Sequence, residues 1–241
     1  MRDAGPRLEE MTWPQVERAI RDGRDTALVP CGTCEEHGPH LPCGTDLFIA
    51  VECCLAAAGR VPALVAPPLG LGVCVSTDGF PGTVGTSAET LRGLVTDVVR
   101  SLGAQGFRRV VLVTGHAGSL HLAALREACL RLAREGAAQV AIISLYDLIT
   151  EHCHDLVETP GDGHAGEVET SLVLHLRPQL VKGTAAAHFP ALPRFEVRAS
   201  VRKEMASGVM GDPTKASAAK GKRIFEATVF ALVSALVEMG K

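Results

Sequence analysis

The sequence predicts an α/β fold in three layers, a mainly parallel sheet with helices on both faces. Three observations carry this reading. Short apolar runs alternate with longer amphipathic or apolar stretches along most of the chain. One run, "RRVVLVTG" at 108–115, is apolar at successive positions, as in a strand buried on both faces. The chain has 241 residues, 46% of them apolar, which suits one domain with a sizeable core. Aromatics are only 4%, so that core must rest on Val, Leu, Ala and Ile.

In chain order, "TALVPCG" (26–32) reads as a short buried strand. "DLFIAVECCLAAAGR" (46–60) reads as a helix with Thr45 as its N-cap. "ALVAPPL" (63–69) is a second strand, ended by prolines. "SAETLRGLVTDVVRSLGAQG" (87–106) is an amphipathic helix capped by Ser87. The strand 108–115 follows, then a helix over 119–136 with Gly136 at its end. "AQVAIISLYDLI" (138–149) is a strand that can run on into a helix. "EVETSLVLHL" (167–176) is helical and broken by Arg177-Pro178, and a long helix spans 213–240. Its stripe of Ile224, Phe225, Val229, Leu232, Val233, Leu236 and Val237 fits a core contact. The irregular segments are 70–86, 151–166 and 179–212. None reads as a linker, so residues 1–241 are expected to form a single domain.

Composition excludes several classes. Net charge is −3 without a basic block, against a nucleic-acid binder. The N-terminal "MRDAGPRLEEM" has no apolar core, so no signal peptide is expected. No apolar run approaches the roughly 18 residues that span a bilayer. The expectation is a soluble, cytoplasmic protein. Among 8 cysteines, Cys31 and Cys34 form a CxxC, but no second pair completes a thiolate site, and incidental cysteines are the expectation.

The chemistry gathers in "CEEHGPHLPCGTD" (34–46), directly after the first strand. Glu35 and His37 are two apart, so in extended backbone they point to one side. Asp46 opens the next helix. His116 follows the strand 108–115, and His164, Glu167 and Glu169 stand at the start of the helix 167–176. In parallel sheets, ligands bind at the carboxyl ends of the strands. Glu35, His37, Asp46 and His116 offer two carboxylates and two imidazoles without thiolate, a set suited to Zn²⁺, Mn²⁺ or Fe²⁺. One carboxylate can bridge two such ions about 3.5–4 Å apart. Taken singly, each His is a structural or solvated residue; together, at strand exits, they point to a metal site. "PLGLGV" (68–73) lacks the third glycine of a dinucleotide loop, and "GHAGS" is not a serine nucleophile elbow. His152 and His154 read as a solvated turn. His40 is read either as a donor to substrate or as a cap of its loop.

Five blocks resemble the creatininase (creatinine amidohydrolase) family. They are "LVPCGTCEEHGPHLPCGTD" (28–46), "FPGT" (80–83), "VTGHAGS" (113–119), "HAGEVETS" (164–171) and "GVMGDPTKASAAKGKRIF" (208–225). The blocks stand in the family's order and cover nearly the whole chain. The resemblance implies a creatininase-like three-layer fold, a homo-oligomer (commonly a hexamer) and hydrolysis of C–N amide bonds at a centre of two divalent ions. It implies that Glu35, Asp46 and His116 hold one ion, that His37 and the bridging Asp46 hold the other, and that His164 stands near substrate and water.

Some positions depart from the family's pattern. Glu36 replaces the usual Gln, and Ser119 the usual Asn. Gly118 stands where the creatinine-hydrolysing member has a glutamate for the second ion. Either Glu169 or Glu167 then takes over, or the second ion is weak or absent. The tryptophans expected around creatinine are missing, since Trp13 is the chain's 1 Trp. In the expected mechanism a metal-activated water attacks the amide carbon. His164, or a carboxylate such as Glu169, moves a proton to the leaving nitrogen. Three functions follow: an amidohydrolase of a small cyclic or linear amide, a peptidase of the mycofactocin-maturation type within the same family, or a metal-stabilised scaffold without turnover.

Overall fold

All six residues of β1 (Thr26–Cys31) are buried, as befits a strand with apolar side chains facing both ways. In this computed structural model, which describes residues 5–198 and 200–240, β1 pairs in parallel with two neighbours. One is β2 (Ala63–Val65) and the other is β3 (Arg109–Thr114). β3 pairs in parallel with β4 (Gln139–Ser144), giving the order β2-β1-β3-β4.

The strands' alternation divides the core in two. Leu28, Val111 and Val113 meet α2 (Thr45–Ala58), α5 (Leu145–His152), α6 (Glu167–Leu176) and α7 (Ala218–Glu238) on one face. Ala27, Val29, Val110 and Leu112 meet α3 (Ala88–Ala104) and α4 (Ser119–Glu135) on the other. The three layers expected from the alternating pattern are therefore present. The α7 stripe serves this core, since Ile224, Val229, Leu232 and Leu236 are buried in it.

Boundaries differ where local chemistry intervenes. β2 ends at Val65, short of the expected 69, because Pro67 and Pro68 have no N–H for the ladder. Thr45 is not the cap of α2: it is the first helical residue, and its hydroxyl donates to the Pro42 carbonyl at 2.7 Å. The residues Pro213–Lys215 form a separate turn, and α7 starts after Ser217, whose hydroxyl accepts the Lys220 N–H. β4 runs straight into α5, with Ser144 as the cap. An additional helix, α1 (Trp13–Arg21), covers the α3–α4 side through Val16 and Ile20. Its signal was the Thr12–Gln15 pair, in which the Gln15 side chain accepts the Thr12 N–H at 2.7 Å. No helix among the described residues is long and apolar enough to cross a membrane.

α6 and α7 pack closely because Gly221 has no side chain. A Cβ there would lie 1.8 Å from the Ser171 carbonyl oxygen. Gly221→Ala is therefore expected to destabilise the protein by about 1–3 kcal/mol, despite Ala's better helix propensity. A denaturation midpoint equal to wild type would contradict the close approach.

Candidate metal centre

The centre forms where β1 and β3 end beside the first turn of α2. Two glycines at the strand exits allow this. A Cβ at Gly32 would lie 2.6 Å from the Leu47 nitrogen, and one at Gly115 would lie 2.2 Å from the Asp46 carbonyl oxygen. The helix can therefore settle against both strand ends, which carries Asp46 between the residues that follow them. Asp46 is 2% exposed, Glu35 1% and His37 0%. The helix N-terminus is a favourable place for its carboxylate.

The two oxygens of Asp46 face two different histidines. Oδ1 lies 3.0 Å from His37 Nε2, and Oδ2 lies 3.1 Å from His116 Nδ1. Glu35 Oε1 is 2.7 Å from the same His116 nitrogen, and Glu169 Oε2 is 3.6 Å from His37 Nε2. Two ligand groups share Asp46, each with its atoms within 4.8 Å of one another: Glu35, Asp46 and His116, and His37, Asp46 and Glu169; a third is Glu35, His37 and His164.

Both rings are fixed from behind. His116 donates Nε2–H to the Val73 carbonyl at 3.1 Å, and His37 donates Nδ1–H to the Glu35 carbonyl at 3.0 Å. Each ring thus turns its other nitrogen to the carboxylates, the arrangement in which a ligating histidine is held. Two threonines absent from the sequence-based reading complete the setting. Thr33 places its hydroxyl 2.5 Å from Asp46 Oδ2 and 3.1 Å from Glu35 Oε1, and Thr77 donates to Glu35 Oε2. Only proximity in the fold could have found them.

Such a cluster of carboxylates demands positive charge. Burial by itself lowers the His116 pKa, but Asp46 and Glu35 outweigh it and carry it up to about 10. His37 behaves alike: burial opposes its charge, yet Asp46 and Glu169 raise it well above the usual range. Asp46 is pushed up by burial and pulled further down by His37 and His116, ending well below an ordinary carboxylate. In the metal-free chain, protons on the two rings occupy the place of a cation. Metal must displace them, so its affinity should rise with pH and its binding should release protons. For the metal-free protein the sign is opposite. The raised His116 stabilises it fully below its unfolded pKa of about 6.5, and this is lost as pH climbs through about 10, with His37, also raised, acting in the same direction. Melting in excess chelator should therefore show Tm falling from neutral to alkaline pH, and a rising Tm would contradict the charge assignment.

His164 sits against this cluster. Its ring lies 4.3 Å from the His37 ring, and Nε2 is 2.8 Å from the Glu36 carbonyl. With Nε2–H donated there, Nδ1 is the nitrogen left for a substrate. The next residue, Ala165, has φ 49°, an uncommon conformation for a residue with a Cβ. That turn aims its N–H at Glu169 Oε2, 2.6 Å away.

Glu167 and Glu169 face different ways. Glu167 turns away, accepting the Thr159 N–H at 2.7 Å and pairing with Lys220. Glu169 joins His37 and Asp46. At Gly118 a Cβ would lie 2.4 Å from His116 Nε2, so any side chain there would collide with the ring as placed. His40 is buried and bonded to the Thr170 hydroxyl at 2.9 Å, a tie between its loop and α6. His152 and His154 are exposed, as expected, but His152 is the last residue of α5 and His154 opens the short turn that follows it. All 8 cysteines are free, and Cys31 is in the core.

A cavity of about 670 Å³ opens over the cluster. Val73, Val75, Leu120, Tyr146, Val197 and Met210 contribute to its wall. Trp13 is in α1, outside it.

Known proteins resemble this chain along most of its length. A family model described as creatininase, creatinine amidohydrolase, matches residues 9–236. A mycofactocin precursor peptide peptidase of Mycobacterium ulcerans (strain Agy99) is 35% identical over 237 residues, covering 92% of this chain and 84% of that protein. A creatinine amidohydrolase of Pseudomonas putida is 31% identical over 250 residues, covering 95% of each. A crystal structure of creatinine amidohydrolase (creatininase) superposes with a TM-score of 0.87 at 29% identity, over 98% of both chains. A manganese creatininase and a zinc–zinc form of a creatininase mutant superpose with TM-scores of 0.83 and 0.82, both at 29% identity, over at least 96% of each chain.

Proposed function

The chain belongs to the creatininase family, and from that premise we propose that its centre holds two divalent ions bridged by Asp46 and that its substrate is a linear amide at the end of a short peptide. It is a metal-binding hydrolase of C–N amide bonds. The observation that carries the bridged centre is the division of Asp46, one oxygen to each histidine. Glu35 and His116 would complete one position, and His37 and Glu169 the other.

When bound, divalent ions supply a lowered pKa for water and polarisation of a carbonyl oxygen. The protein does the rest. Val73 and the Glu35 carbonyl hold the two rings in one tautomer. His164 Nδ1 takes a proton from the attacking water and returns it to the leaving nitrogen, while Nε2–H stays on the Glu36 carbonyl. The Val73, Val75, Leu120 and Met210 side chains limit water around the bond being cut.

The peptide reading is favoured by the aliphatic wall and by the 35% identity to a peptide peptidase. A small cyclic amide is the second reading, favoured by the 95% mutual coverage with the P. putida enzyme. Metal-loaded protein should be incubated with creatinine and, separately, with short peptides of varied C-terminus, and the products weighed. Release of a C-terminal fragment supports the first reading. Ring opening alone would replace it with the second. Bound metal with neither product would return the chain to the scaffold reading. Light scattering would test the homo-oligomer that the family resemblance implies.

A further inference from the structure

The segment 70–86 does more than form one wall of the cavity. The Val73 carbonyl holds His116 Nε2–H at 3.1 Å, and the Val73 N–H reaches His121 Nδ1 at 3.3 Å. Thr77 is 2% exposed and is the hydroxyl donor to Glu35 Oε2. Thr83 accepts the Glu36 N–H at 3.0 Å, and the Val84 N–H reaches the Cys34 carbonyl at 2.8 Å. The same segment therefore grips both Glu35 and His116, the pair that shares one side of Asp46. The side chains of the other pair have other partners: His37 meets the Glu35 carbonyl, and Glu169 accepts the Ala165 N–H at 2.6 Å. The Glu35 carboxylate and the His116 ring are thus the two side chains this segment holds directly, and it carries Val73, Val75, Ser76 and Thr77 of the cavity wall.

We propose that Thr77 is a positioning residue for the Glu35–His116 metal position, and that filling this position orders the cavity wall formed by residues 72–86. The inference rests on the reading of these residues as a metal centre. Glu35 Oε1 faces His116, so Oε2 is the oxygen left for an outer partner, and Thr77 supplies it. Without that hydroxyl, a buried carboxylate oxygen loses its donor and Glu35 is free to turn. Loss of such an outer partner typically weakens metal binding about 10–100-fold. In the other direction, an ion held on Glu35 and His116 fixes the two groups that Thr77 and Val73 grasp, and the wall between them loses freedom.

The test uses the full chain, stripped of metal and titrated with Zn²⁺ against a chromophoric chelator. Thr77→Val, close in shape, should weaken one of two sites by about 10–100-fold and spare the other, while Thr77→Ser should stay near wild type. Hydrogen exchange of residues 72–86 should slow when wild type is loaded and much less so in Thr77→Val. Unchanged affinities in Thr77→Val would overturn the proposal. So would equal weakening of both sites with a lower metal-free Tm, the signature of a merely structural hydroxyl. If Thr77→Val does not fold, wild type still decides the coupling: no metal-dependent protection of 72–86 overturns it. Wild type that binds no divalent metal would overturn the metal-centre reading and this inference together, whereas two bound ions with no effect of Thr77 would overturn this inference alone.

Discussion

Asp46→Ala should empty both metal positions and reduce amide hydrolysis to the rate of the metal-free protein. The physical reason is that one carboxylate serves two histidines, so its removal takes an oxygen from each ligand group. A residue in only one group should behave differently: Glu169→Ala should leave the Glu35–Asp46–His116 position its full set. Elemental analysis of the purified variants separates these outcomes. Stability offers a second readout. Ligand at about 100-fold over its Kd stabilises a protein by roughly 2.7 kcal/mol. Added metal should therefore raise the wild-type Tm and leave that of Asp46→Ala unmoved. An Asp46→Ala protein that keeps its metal and its activity would remove the basis for a bridged centre.

The second large effect is expected at His164. His164→Ala should lower kcat by about 10²–10⁴-fold, the usual contribution of a general acid–base, with metal content unchanged. The ring stands beside His37 but spends Nε2–H on the Glu36 carbonyl, which leaves one nitrogen for proton transfer. Equal kcat in the variant would assign His164 a packing role only. Loss of metal in the variant would instead make it a ligand, since Glu35, His37 and His164 also place ligating atoms within 4.8 Å of one another.

Much of this was legible in the sequence because the architecture places function at strand ends. The apolar runs identified the four strands of the sheet among the described residues, and the helix signals at Ser87 and Gly136 stand where the structure has a cap and a left-handed C-cap. Glu35, His37, Asp46 and His116 were singled out because they follow or open such elements, and the fold brings them together. What the sequence could not give were distances across the chain. Thr33 and Thr77 are ordinary loop hydroxyls until folding sets them on Glu35, with Thr77 separated from it by 42 positions. The different surroundings of Glu167 and Glu169 follow from helical geometry. Two residues apart on α6, they face different ways, one to Lys220 and one to His37. The helix α1 was missed because its polar composition hides the few apolar residues, Val16 and Ile20 among them, that it packs on the core.

The most direct test of the bridged centre is anomalous diffraction at the metal edge from crystals of zinc- or manganese-loaded protein. Two peaks about 3.5–4 Å apart should flank the Asp46 carboxylate, one on the His116 side and one on the His37 side. A single peak, or peaks away from Asp46, would contradict it.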